Sequence, residues 1–130
     1  MELPKNESQF EVDVLGDTTY KKYDGQFTVR CILTMGQKHA MELEKSRLLG
    51  SYPNPSADLV GLAEIFANLR AKVIDGPEWW KQSQGGSLIK DENALVILYN
   101  KVLDAEDEWK MKVKELAAPK ELATSESQTQ

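Results

Sequence analysis

The chain has 130 residues, 41% of them apolar and 28% charged, which suits one ordinary globular domain rather than a disordered segment. Sixteen basic against 21 acidic residues leave a net charge of −5, with the excess acidity in the last forty residues and no basic patch anywhere, which disfavours nucleic acid as a partner. One cysteine excludes an internal disulfide and fits a reducing compartment, and neither a membrane span nor a signal peptide is readable, so the expectation is a soluble intracellular protein.

In chain order, residues 1–9 are expected to be a flexible N-terminus. Phe10, Val12 and Val14 alternate with Glu11 and Asp13, the mark of a half-buried strand. Leu15 to Thr18 reads as a turn, and Asp24-Gly25 between β-rich runs reads as a type I′ hairpin. Phe27, Val29, Cys31 and Leu33 share one face of the strand that follows, so a sheet of two or three strands is expected.

Beyond Leu33 the apolar period changes from 2 to about 3.6. Thr34 and Gln37 fit a capping box that opens a helix over Met35 to Leu49, with Gly50 suited to a left-handed C-terminal position. Tyr52-Pro53-Asn54-Pro55 cannot continue it. Ser56 caps a second helix, whose residues Leu59, Leu62, Phe66, Leu69 and Val73 form one stripe. Asp75-Gly76-Pro77 stops that helix, Trp79-Trp80 falls in a short turn, and Ser83 to Ser87 reads as a flexible loop. Asp91 is expected to cap a third helix over Glu92 to Leu116, with Leu95, Leu98, Val102, Trp109, Val113 and Leu116 inward and Ala105 or Glu106 filling the gap. The expected fold is α+β: a small N-terminal antiparallel β-hairpin sheet, then a three-helix unit with a long C-terminal helix. Residues 10–116 form the single domain and 117–130 a flexible polar tail.

Chemistry-bearing patterns are few. His39 and Glu42 could present two ligands on one helical face, but no second histidine supports a metal site. Cys31 lies in phase with Phe27 and Val29, which favours a core thiol over a Cys31–His39 nucleophile pair. Gly85-Gly86 lacks the remainder of a phosphate loop. Asp104, Glu106, Asp107 and Glu108 precede Lys110, Lys112 and Lys114, and the pairs Glu106–Lys110 and Glu108–Lys112 suit a solvated helix face. No catalytic residue, metal site or cofactor is assigned. The candidate partner-binding residues are Trp79, Trp80 and Trp109, because indoles combine large contact area with a polar handle. Of the adjacent pair, one indole is expected to pack inward and the other to stay largely exposed, at a partner or self-association surface.

The order of these features carries a resemblance. The block Tyr20-Lys21-Lys22-Tyr23-Asp24-Gly25-Gln26-Phe27-Thr28-Val29-Arg30 runs through Cys31-Ile32-Leu33 to Thr34 and a charged helix. A leucine-patterned helix follows, then Gly76-Pro77-Glu78-Trp79-Trp80, and last an acidic-then-basic helix holding Trp109. Over residues 10–116 this resembles the tail assembly chaperones of long-tailed bacteriophages. The resemblance implies a non-enzymatic protein of the host cytoplasm that coats the tape measure protein, recruits tail tube subunits and leaves the finished particle. It carries over no catalytic or ligand residues. A virion structural protein, such as a head–tail connector or minor tail component, is the alternative. Outside that setting, a small enzyme using Cys31 or a carboxylate pair and a small regulatory module are the remaining readings.

Overall fold

A computed structural model describes residues 2–50 and 52–129, with side chains as far as Ala118. Strand β1 (Ser8–Leu15) pairs antiparallel with β2 (Lys22–Val29), setting Val12 against Gly25 and Val14 against Tyr23. Alternation sorts the side chains as expected. Val12, Val14, Tyr23, Phe27 and Val29 are buried, while Glu11, Asp13, Lys22 and Asp24 face outward.

The hairpin turn is not at Asp24-Gly25. It spans Gly16 to Lys21, closed by the Gly16 N–H to the Lys21 carbonyl (2.8 Å), with Tyr20 at φ 57°. Asp24-Gly25 instead lies inside β2, and Gly25 is required there by tertiary contact. Its φ is +142°, and a Cβ on it would stand 2.7 Å from Cβ of Pro77. Gly25→Ala is therefore expected to cost about 1–3 kcal/mol in urea denaturation. Gly61→Ala, on an open helical surface with nothing within 4 Å, should be neutral or stabilising by up to about 1 kcal/mol.

Helix α1 (Met35–Leu49) begins with the expected capping box. The Gln37 N–H donates to the Thr34 hydroxyl (3.1 Å) and the Thr34 N–H to the Gln37 side-chain oxygen (2.9 Å). Gly50 ends it in right-handed rather than left-handed geometry (φ −59°), with its N–H turned back to the Arg47 carbonyl. No residue of α1 is buried; it lies along helix α2 (Ala57–Lys72), joined by ion pairs. Lys45 meets Glu64, and the Arg70 guanidinium meets Glu44 at 2.6 Å. Hydrogen bonds from Arg47 hold the Glu44 carboxyl down at about 2, with Arg70 adding to them against the opposing effect of burial.

Ser56 caps α2 as expected, accepting from the Leu59 N–H at 3.2 Å. The expected stripe is only partly the buried one. Leu69 is fully buried, but Ala63 and Ala67 are buried too, the latter beside Ala40 and Met41 of α1, and Leu59, Leu62 and Phe66 are half-buried. Val73 does not finish the helix. It starts β3 (Val73–Asp75), which pairs antiparallel with β2 and completes a sheet ordered β1-β2-β3. Arg30 fastens this switch, its backbone N–H donating to the Lys72 carbonyl and its guanidinium to the Ala71 carbonyl (2.8 and 2.9 Å). Strand β2 consequently stops at Val29 rather than Leu33, although Cys31 and Leu33 keep their buried phase.

A short helix α3 (Glu78–Lys81) carries the tryptophan pair, and α4 (Glu92–Thr129) crosses the buried face of the sheet. Leu95, Leu98, Val102 and Ala105 are buried on α4 as expected. Beside Ala105, Glu106 receives the buried Lys72 ammonium at 3.3 Å. Leu116 is exposed, so the stripe outruns the core. The flexible tail expected over 117–130 lies almost wholly outside the residues whose side chains are described. At the other end, residues 1–9 include the first two residues of β1. Asn6 accepts the N–H groups of Cys31 and Ile32 (3.0 and 2.8 Å) and donates to the Ile32 carbonyl. Among the described residues, no helix is long and apolar enough to cross a membrane.

Candidate partner-binding surface

Pro77 precedes α3 in extended geometry, so Trp79 and Trp80 leave the backbone about 100° apart on one short turn. Trp80 points into the core, 9% exposed, with its ring 6.1 Å from that of Phe27. Trp79 departs from expectation. Rather than standing largely exposed, it is half-buried, edge-on to Tyr23 at 5.1 Å and to Phe27 at 5.5 Å. Its indole N–H donates to the Asp24 carbonyl at 2.8 Å. Both indoles thus close the sheet over Phe27, which the short α3 can do because Gly76 has no Cβ to strike that ring. Trp109 is also half-buried. It donates to the Pro4 carbonyl at 3.2 Å and lines a different cleft, beneath the N-terminal segment. The three tryptophans are not brought together on one face.

The segment after α3 was expected to be a slack loop, and it is tied instead. Gln84, Gly85 and Gly86 take φ of 53°, 67° and 93°, winding the chain around Ser83. The Ser83 hydroxyl donates to the Trp80 carbonyl (2.6 Å) and accepts from the Gly86 N–H (2.9 Å), while Arg70 Nε donates to the Gly85 carbonyl (3.1 Å). Glycine is needed at 85 because a Cβ there would meet that Arg70 nitrogen at 2.4 Å.

Asp91 stands where its spacing placed it, immediately before α4, but its side chain has another role. Its side chain does not cap α4. It is fully buried and reaches the β1–β2 turn, accepting from the Thr18 and Thr19 N–H groups (2.8 and 2.7 Å) and from the Thr19 and Tyr23 hydroxyls (2.6 Å each). Burial is the largest single influence on this carboxyl and pushes it up. The four hydrogen bonds together outweigh it and hold Asp91 well below the usual carboxylate range. Burial and the bond to Asp91 raise the Tyr23 phenol. Asn93, two residues on, accepts from the Asp17 N–H and donates to the Leu15 carbonyl, so the start of α4 and the hairpin turn form one unit. No linear pattern connects Thr19 with Asp91; the pairing follows only once α4 lies against the sheet.

The apolar groups that α2 does not bury form a groove of about 760 Å³ with the start of α4. Leu59, Leu62 and Phe66 line one wall and Ile89 and Leu95 the other, with Asp58, Lys90 and Glu92 along the rim. This groove was not among the sequence candidates, although the spacing of 59, 62 and 66 announced an apolar stripe that something must cover.

The residues considered for chemistry lie apart. Cys31 is buried beneath the N-terminal segment and its thiol is pushed up, chiefly by burial, whereas His39 is exposed on α1. Among the described residues no group of three or more His, Cys, Asp or Glu side chains could hold a metal ion. Glu106 pairs with Lys110 at 3.5 Å as expected; Glu108 and Lys112 form no ion pair. The result is a mixed α+β domain with an open groove, apolar along its walls, between α2 and the start of α4. Comparison with known protein families, curated proteins and solved structures finds no match to the chain.

Proposed function

We propose that this protein is a non-enzymatic tail assembly chaperone, which binds the tape measure protein and recruits tail tube subunits in the host cytoplasm. The observation that supports this reading is the groove between α2 and α4. Its apolar walls, Leu59, Leu62 and Phe66 opposite Ile89 and Leu95, suit the apolar face of an amphipathic helix, which presents anchors at i, i+3 or i+4, and i+7. A tape measure protein is a long helical chain that needs such cover until the tube assembles around it. The resemblance over residues 10–116 supplies the setting.

Co-expression tests the proposal. The tape measure protein, insoluble alone, is expected to be solubilised and to co-purify, and tail tube protein to join the complex. Leu59→Asp with Leu62→Asp should abolish capture while leaving the circular dichroism spectrum unchanged, because neither side chain is fully buried. Failure to solubilise or co-purify either protein overturns the reading. Presence of the chain in purified particles would assign it to the virion structure instead.

A further inference from the structure

A second cavity, of about 390 Å³, lies on the other side of Ile89 and Lys90, between the hairpin turn and the 82–90 segment. Its apolar side is formed by Tyr23, Trp79 and Leu88, and Lys21 and Lys90 stand at its mouth. The volume falls in the range of roughly 300–1,000 Å³ typical of small-ligand and side-chain pockets. Among the described residues neither lysine forms an ion pair. The Lys21 ammonium is held 5.4 Å from the centre of the Tyr23 ring, over the cavity wall.

Asp91 lies beneath, and it is the only buried carboxylate of this region. Its two oxygens are fully engaged by two hydroxyls and two backbone amides. Lys21 and Lys90 are the charged residues of the lining, so with Asp91 the cavity itself carries one net positive charge on a chain of net charge −5, while Asp58 and Glu92 flank Lys90 on the side of the other groove. No arginine lines the cavity to take a phosphate in two-pronged fashion. Beside the lysines the lining is half apolar, Tyr23, Trp79, Leu88 and Ile89, and half polar, Thr19, Gln82 and Ser83, so an aliphatic group and a hydrogen-bonding anion can be seated side by side.

We propose that this cavity recognises an acidic segment of a partner polypeptide, seating an aliphatic side chain against Trp79 and Leu88 and the neighbouring carboxylate at Lys21 and Lys90. The inference is independent of the tail-assembly reading, since it rests on this cavity's own charge and shape.

The test titrates the full chain with two probes, acetyl-Leu-Glu-Glu-Leu-amide and acetyl-Leu-Gln-Gln-Leu-amide, followed by proton–nitrogen correlation spectra. The acidic probe should shift the Trp79 indole N–H and the Leu88 to Lys90 amides saturably, with a Kd of about 1 mM or tighter. The glutamine probe should bind at least about tenfold more weakly, as should the acidic probe to a Lys21→Gln, Lys90→Gln double variant. Both lysines are exposed, so that variant keeps its spectrum elsewhere. Equal binding of the two probes, undiminished binding to the variant, shifts that map to another face, or no saturation by about 10 mM would each overturn the proposal.

Discussion

Trp80→Ala is expected to destabilise the domain by about 3–5 kcal/mol, the range for truncating a large aromatic in a packed core. Its indole is 9% exposed and fills the space beside Phe27, which is itself fully buried and also meets Phe10 and Trp79. Trp79→Ala should cost about 2–3 kcal/mol, from two edge-on aromatic contacts and the hydrogen bond to Asp24. Trp79→Phe should recover most of that, leaving a loss of about 1 kcal/mol for the missing N–H. Urea denaturation followed by far-UV circular dichroism measures all three without depending on the fluorescence being altered. A Trp79→Ala effect within about ±0.5 kcal/mol would mean that this indole is an ordinary surface group and that the aromatic cluster ends at Trp80. The expected losses make the tryptophan pair part of the scaffold, which is why the surface proposed for the tape measure protein is placed in the groove beside α2.

Asp91→Asn is the second large effect, and its sign with pH is fixed by the hydrogen bonds. The folded carboxyl titrates well below its unfolded value of about 3.9. A depressed folded value means that the ionised form favours the folded state. The contribution is therefore complete above pH 4 or so and is lost as pH falls from there through the folded value. At neutral pH, asparagine brings two N–H donors to a site already filled with donors from Thr18, Thr19 and Tyr23, and the melting temperature should drop by about 10 °C. The gap between the two proteins should narrow steadily below about pH 4. A gap that stays constant down to about pH 2 would show that the carboxylate charge is not what holds the turn. Gly16→Ala should mimic the defect, since its Cβ would stand 2.4 Å from the Asp91 carboxyl carbon.

What the sequence by itself determined here has its cause within one turn of chain. Thr34 and Gln37 cap each other, Ser56 caps through Leu59, and the alternation of Val12, Val14, Phe27 and Val29 sorts a strand whatever it pairs with. The change of apolar period near Thr34 was enough to separate the β1–β2 hairpin from the helices, though not to reveal β3. The rest needed partners far away in sequence. Asp24-Gly25 carries the composition of a hairpin turn, yet Pro77 decides that the glycine is a gap in a strand. Val73 continues a helical stripe, yet Arg30 and the free edge of β2 draw it into β3. Asp91 has the right position for a cap, yet four donors 68 to 73 residues away in the chain outbid the helix end. The groove followed from the stripe on α2 only when α1 had docked along Glu64, Ala67 and Arg70 and left Leu59, Leu62 and Phe66 to the start of α4. Spacing reports which side chains can share a face. The group that then binds a carboxylate, a glycine or an edge strand most strongly is set by distances that exist only after the helices have docked on the sheet.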